Sequence, residues 1–138
     1  MSSFSIQDDN SSDHLTIRFS ESKTIFGSCN GYVEAEVEIK AGNFGGGYKT
    51  EFTDGDLPAL QSRLREIYTD LSGSLSFATL EGQLEFKITG DGRGHFETEC
   101  EAQESWNGSR LIFTLSFDQT HIPRMIRELE GLLSGHYK

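Results

Sequence analysis

Between Tyr32 and Lys40 the chain alternates without a break. Val33, Ala35, Val37 and Ile39 fall on one side, and Glu34, Glu36, Glu38 and Lys40 on the other. Only an extended strand puts every second residue on one face, so this stretch must lie half in a core and half in water. The same period recurs at His14–Phe19 (Leu15, Ile17 and Phe19) and at Leu84–Ile88 (Leu84, Phe86 and Ile88). It returns between His95 and Ala102, where Phe96, Thr98, Cys100 and Ala102 oppose His95, Glu97, Glu99 and Glu101. Leu111, Phe113, Leu115 and Phe117 extend it through a further segment, and a strand is also expected at Tyr48–Phe52 and near Ser74–Thr79.

Two segments carry the other period. Leu57, Leu60, Leu64, Ile67, Tyr68 and Leu71 recur at helical spacing, as do Ile122, Met125, Ile126, Leu129, Leu132 and Leu133. Pro58 and Pro123 sit in the first turns, where a missing N–H costs least. Asp54 or Asp56 and then Thr120 are the candidate caps, and Gly73 is placed to stop the first helix. A shift of 65 positions lays Phe52 on Phe117, Leu57 on Ile122, Pro58 on Pro123, Leu60 on Met125 and Leu64 on Leu129. It also lays Glu34 on Glu99 and Glu36 on Glu101. The expected fold is therefore α+β: a mainly antiparallel sheet of about six or seven strands, two amphipathic helices on one face, and two β-β-β-α halves. A chain of 138 residues is one domain's worth, with the Ser/Asp/Asn-rich residues 1–13 expected to be loose.

Charge narrows the function. Twelve Lys and Arg against 22 Asp and Glu leave −10 with the histidines neutral. Phosphate contacts need clustered cations, so nucleic-acid binding is disfavoured, and so is an anionic membrane surface. The opening residues have neither a basic region nor an apolar run, and the two cysteines, Cys29 and Cys100, form no C-x-x-C pair. Both features read as a cytoplasmic protein with reduced thiols.

Motifs for chemistry fail on context. The glycine stretches Gly42–Gly47 and Gly90–Gly94 run from strand to strand and read as hairpin turns, whereas a phosphate loop must open a helix. His14, His95, His121 and His136 are scattered without a zinc-helix spacing, and Asp54-Gly55-Asp56 lacks the remaining ligands of a calcium loop. There is no nucleophile elbow, and Cys100 shares its strand face with Phe96 and Thr98 as a small core residue. No catalytic residue, metal ligand or cofactor is therefore assigned.

The outward glutamates remain as the candidate partner-binding residues: Glu34, Glu36 and Glu38 on one strand, Glu97, Glu99 and Glu101 on another. Outward residues recur every 6.5–7 Å or about that, close to the spacing of backbone phosphates on one nucleic-acid strand. Such a face suits a basic protein partner and could imitate a nucleic acid in a nuclease cleft. The plainer reading is a solvated sheet face whose charge also deters edge-to-edge pairing. Another class of function would be a small-ligand or enzymatic domain with a pocket between sheet and helices. A structural or oligomeric module would instead show an exposed apolar patch.

Several phrases carry a family resemblance. Gly42-Asn43-Phe44-Gly45-Gly46 with Tyr48 and Phe52, Leu80-Glu81-Gly82-Gln83-Leu84, Gly90-Asp91-Gly92-Arg93-Gly94-His95-Phe96, and Phe117-Asp118-Gln119-Thr120 with Pro123 follow one another in order. From about Tyr32 to the last helix, this resembles the WapI-type immunity proteins. The resemblance implies a small cytoplasmic antitoxin that binds the toxin domain of a wall-associated toxin, in the best-known case an RNase acting on tRNA. It implies no particular contact residues, since the turn phrases report folding requirements.

Overall fold

The computed structural model describes residues 2–19, 32–53, 55–105 and 107–134. The turn-rich segment Glu21–Gly31 with Cys29, the candidate cap Asp54, Trp106 of an expected turn, and His136 lie outside these residues. The first half comprises β1 (Ser2–Gln7), β2 (His14–Phe19), β3 (Tyr32–Ala41), β4 (Phe44–Thr53) and α1 (Asp56–Asp70). The second comprises β5 (Ser72–Ala78), β6 (Leu84–Asp91), β7 (His95–Gln103), β8 (Arg110–Asp118) and α2 (Ile122–Ser134), which follows a 3-10 turn at Gln119–His121.

The expected single sheet of six or seven strands is thus corrected. Among the described residues, eight strands form two four-stranded antiparallel sheets, ordered β1-β2-β3-β4 and β5-β6-β7-β8. Each half is ββββα and not β-β-β-α. The added strand, β1, lies inside the stretch expected to be loose, where Phe4 and Ile6 alternate among serines and are both buried. The two helices do not share the face of one sheet. Each follows the last strand of its own sheet and packs on the first strand of the other: α1 lies on β5, α2 lies on β1, and the helices touch each other. Burial explains the arrangement, because each sheet has an apolar face and the inner faces of both feed one continuous core.

The two halves correspond residue by residue. Leu57, Leu60, Leu64 and Ile67 are the buried residues of α1, and Ile122, Met125, Leu129 and Leu132, each 65 positions on, are buried along α2. Phe52 and Phe117 obey the same shift, and both are fully buried. Their strand partners follow a different one: Val33 pairs with Phe52 while Phe96 pairs with Phe117, a shift of 63. The difference comes from the hairpins. The β3–β4 pair turns through Gly42 and Asn43 alone, whereas the β7–β8 loop spans 104–109.

Local chemistry departs from expectation in three places. Gly45, Gly46 and Gly47 belong to β4, not to a turn, and a Cβ on Gly45 would lie 2.5 Å from the Ile39 carbonyl oxygen. Glycine is there because the neighbouring strand passes too close for any side chain. The first helix stops at Leu71, which takes the left-handed conformation and donates its N–H to the Ile67 carbonyl, ahead of Gly73 in β5. Asp118, not Thr120, is the capping residue before α2, accepting the Thr120 N–H.

Open sheet edges invite unwanted pairing, and this chain covers them reciprocally. On the β1 edge, the Ser5 N–H donates to Glu128 Oε1 at 2.9 Å, and Arg124 of α2 donates to the Ser5 carbonyl at 3.3 Å. On the β8 edge, the Ser116 N–H donates to Asp8 Oδ1 at 2.7 Å, and the Asp9 N–H to the Ser116 carbonyl at 2.8 Å. The β4 edge leans on the β5–β6 loop, where Tyr48 Oη donates to the Gln83 carbonyl at 2.6 Å and Thr50 Oγ1 to its side chain at 2.9 Å.

Asp8 is the most heavily used of these contacts. Partial burial pushes its carboxyl upward, but the N–H of Ser116, the Ser11 hydroxyl and the N–H groups of Asn10 and Ser11 outweigh that and hold it below the ordinary value of 3.8. A folded-state value below the unfolded one contributes stability that is complete above the unfolded value. That contribution is lost as pH falls through the folded value. Asp8→Ala should cost about 1–2 kcal/mol at neutral pH, the scale of a charge-assisted cap. The cost should shrink as pH falls below 4 or thereabouts. Urea denaturation at pH 7 and pH 3 checks both, and an equal cost at the two values would overturn the assignment.

Candidate functional site

The strand period puts all the candidate glutamates on outer faces. Glu34 and Glu36 are exposed on β3 and Glu38 is half-buried; Glu97 and Glu99 are exposed on β7 and Glu101 is half-buried. Both strands are third in their sheets, so the runs lie on separate sheets and are not neighbours. With the shift of 63 fixed by pairing, Glu34 corresponds to Glu97, Glu36 to Glu99 and Glu38 to Glu101. The shift of 65 expected for these strands matched two glutamates in each run; the pairing matches all three.

Their surroundings differ between the sheets. Glu38 bonds to Arg18, with His14 Nε2 at 4.0 Å from its other oxygen. The Arg18 hydrogen bond, reinforced by the charges of Arg18 and His14 against a slight desolvation, holds the Glu38 carboxyl below its ordinary range. Glu36 stands across from Arg18 on one side and Lys49 on the other. On the second sheet, Glu101 takes a 3.2 Å contact from Arg110 Nε, and Glu99 stands across from Lys87. Two like-charged pairs are directly opposed: Glu34 with Glu51 in the first sheet and Glu85 with Glu101 in the second. Facing carboxylates destabilise a sheet, so folding alone does not select them.

Two open depressions lie on strand surfaces. One, of about 340 Å³, occupies the outer face of the second sheet, where Glu85, Lys87, Glu99 and Glu101 surround Ile112. The other, of about 230 Å³, lies between the glycine-rich part of β4 and the end of the β7–β8 hairpin, with Phe44, Tyr48 and Leu111 among its walls. Phe44, Leu80 and Ile112 are the most exposed large hydrophobic residues among those described.

One grouping was not legible from spacing. Asp9, Asp118 and His121 bring their ligand atoms within 4.8 Å of one another. His121 Nε2 lies 2.5 Å from Asp9 Oδ1, and the Asp118 carboxylate is engaged by Thr120. That contact fastens the β1–β2 loop beside the start of α2, which accounts for the grouping. Burial raises the Cys100 thiol to about 12, a value that leaves no thiolate for nucleophilic attack near neutral pH. No helix among the described residues is long and apolar enough to cross a membrane.

Two ββββα halves, each sending its helix onto the other's first strand and turning an acid-bearing face outward, define a two-sheet α+β protein. A solved structure shares that fold. A chain of Trypanosoma brucei MRP1/MRP2 matches with a TM-score of 0.53 at 13% identity, over 98% of this chain and 84% of that one. The plant transcriptional regulator PBF-2 matches more loosely, with a TM-score of 0.44 at 13% identity over 98% and 83%. Comparison with curated proteins finds no match. The family is decided by sequence: residues 4–135 match the Immunity protein WapI-like family, and the chain belongs to it.

Proposed function

We propose that this chain neutralises a cognate toxin domain in the cytoplasm by stoichiometric binding through its acidic strand faces. Glu34, Glu36, Glu38, Glu97, Glu99 and Glu101 are the contact residues of this reading. Membership of an immunity protein family supplies the class of partner. The single observation that carries the acidic face is the recurrence of three outward glutamates at corresponding positions in both halves. In each sheet a directly opposed carboxylate pair accompanies them, and cationic side chains from a partner would relieve that repulsion. A basic toxin domain fits best, and a nuclease, whose cleft already accepts a phosphate backbone, is the natural candidate.

The test is reversal of Glu34, Glu36, Glu99 and Glu101 to Lys together, measured against the cognate toxin domain, sought first in the gene immediately upstream. Binding and protection of toxin-expressing cells should both be lost while circular dichroism and thermal midpoint stay close to the parent's. Full protection by the quadruple variant would remove the acidic face from the mechanism. Failure of the unaltered chain to bind that domain would remove the domain as its partner.

A further inference from the structure

The two acidic faces are not equivalent, and the difference points to one of them. On the first sheet, Glu36 lies between Arg18 and Lys49 in register, and Arg18 bonds Glu38. The outer face of the first sheet thus answers much of its own charge. It also carries the glycines of β4, which offer no side chains to a partner. On the second sheet, Glu99 faces Lys87 and Glu101 meets Arg110, while Glu85 and Glu97 make no ion pair among the described residues. What sets this sheet apart is the depression around Ile112 beside its opposed carboxylate pair.

Register then places the second sheet's side chains in rows. Ala78, Glu85, Glu101 and Ile112 stand side by side across all four strands, and Ser76, Lys87, Glu99 and Thr114 form the next row. The open depression of about 340 Å³ spans these two rows. Its floor is apolar at both ends of the first row, with Ile112 68% exposed, and the two facing carboxylates sit between. Arg110 holds one oxygen of Glu101 at 3.2 Å, which fixes that carboxylate in place without neutralising Glu85.

We infer that, of the two acidic faces, the concave outer face of the second sheet makes the principal contact with the toxin, and that the Ala78–Glu85–Glu101–Ile112 row receives an arginine or lysine side chain of that toxin. The inference rests on the immunity reading above and gives it a site. A long cationic side chain matches the row in both its parts. Its methylene stem covers Ile112 and Ala78, and its head lies between two carboxylates that repel each other when it is absent. Arginine fits best, because its planar fork can serve both carboxylates at once.

Calorimetric titration of the cognate toxin domain into four proteins tests it: the parent, Glu85→Gln with Glu101→Gln, Ile112→Ser, and Glu34→Gln with Glu36→Gln. The second-sheet pair should weaken binding by about 100-fold, on the scale of removing a buried charge pair's partners at an interface. Ile112→Ser should weaken it by roughly 10-fold through lost apolar contact. The first-sheet pair should weaken it by only about 3- to 10-fold, the loss of exposed contact charges that have no depression beside them. Thermal midpoints guard against misfolding, and the second-sheet pair should hold or raise its midpoint because a like-charge opposition has been removed. Equal losses on both sheets, or losses confined to the first, would overturn the site while leaving the immunity reading standing. Absence of binding by the parent would overturn both.

Discussion

Phe52→Ala should remove about 3–5 kcal/mol of folding stability, the range for deleting a fully buried phenylalanine and leaving its cavity. The expectation rests on more than burial. The Phe52 ring lies edge-on to Phe19 with centroids 5.3 Å apart and stacks on Phe77 at 5.6 Å; Phe77 in turn stacks on Phe86 at 5.0 Å. This run of rings starts in the first sheet, on β2 and β4, and ends in the second, on β5 and β6. Phe52 is therefore the point at which the aromatic packing crosses between halves. Its counterpart Phe117 stacks on Phe96, 5.7 Å away and within its own sheet, so Phe117→Ala removes similar area but no aromatic stack between sheets among the described residues. Domains of this size hold 5–15 kcal/mol or about that, so Phe52→Ala alone should shift the urea midpoint by a large fraction of its parent value. A loss below about 1.5 kcal/mol would mean that the site collapses around the smaller side chain and the rings do not join the sheets.

Much of this core was legible because period and burial coincide. Every inward residue read in the Val33–Ile39 run is buried, and so are those of the Phe96–Ala102 run. The Leu57–Ile67 face of the first helix is buried as well. Strand β1 was missed for a physical reason. Only Phe4 and Ile6 mark its inner face, and the intervening Ser5 is buried by contacts with Thr16, Arg124 and Glu128 that no local pattern records. The glycines of β4 hid the first part of that strand, Phe44–Gly47, ahead of the expected Tyr48–Phe52, since residues without side chains cannot alternate. The division into two sheets depends on which strands end unpaired, and that is a property of long-range contacts, not of any one segment. Tyr68, expected on the apolar face of α1, is 40% exposed.

The candidate site was legible in face but not in register. Shifting one half of the chain onto the other by 65 instead of 63 still put each glutamate on the outer side, because an error of two positions preserves the face of a strand. What it lost was the one-to-one match of Glu34, Glu36 and Glu38 with Glu97, Glu99 and Glu101, which only cross-strand pairing restores. The depression around Ile112 was likewise invisible. Ile112 occupies an outward position next to Leu111 and Phe113, so in sequence it reads as one more apolar residue of a core strand.

Association with the toxin domain should slow by roughly 10- to 100-fold between 0.01 M and 1 M monovalent salt, the scale on which electrostatic steering sets encounter rates. The chain carries −10, and its carboxylates project from strands that form a fixed scaffold. A rigid array of one sign attracts an oppositely charged partner over about a Debye length, which shrinks from about 30 Å to 3 Å across that range. The dissociation rate should change far less, because departure is governed by close contacts such as the Glu85–Glu101–Ile112 row, where water and salt are excluded. Stopped-flow association at stepped salt, followed by dissociation into excess unlabelled chain, separates the two rates. Neutralising Glu97 and Glu99 to Gln should flatten the association slope, with a smaller effect on dissociation than Glu85→Gln with Glu101→Gln has. Those residues flank the row without entering it. An association rate indifferent to salt would mean that apolar contact alone drives recognition and that the outward glutamates serve only to keep the sheets in solution.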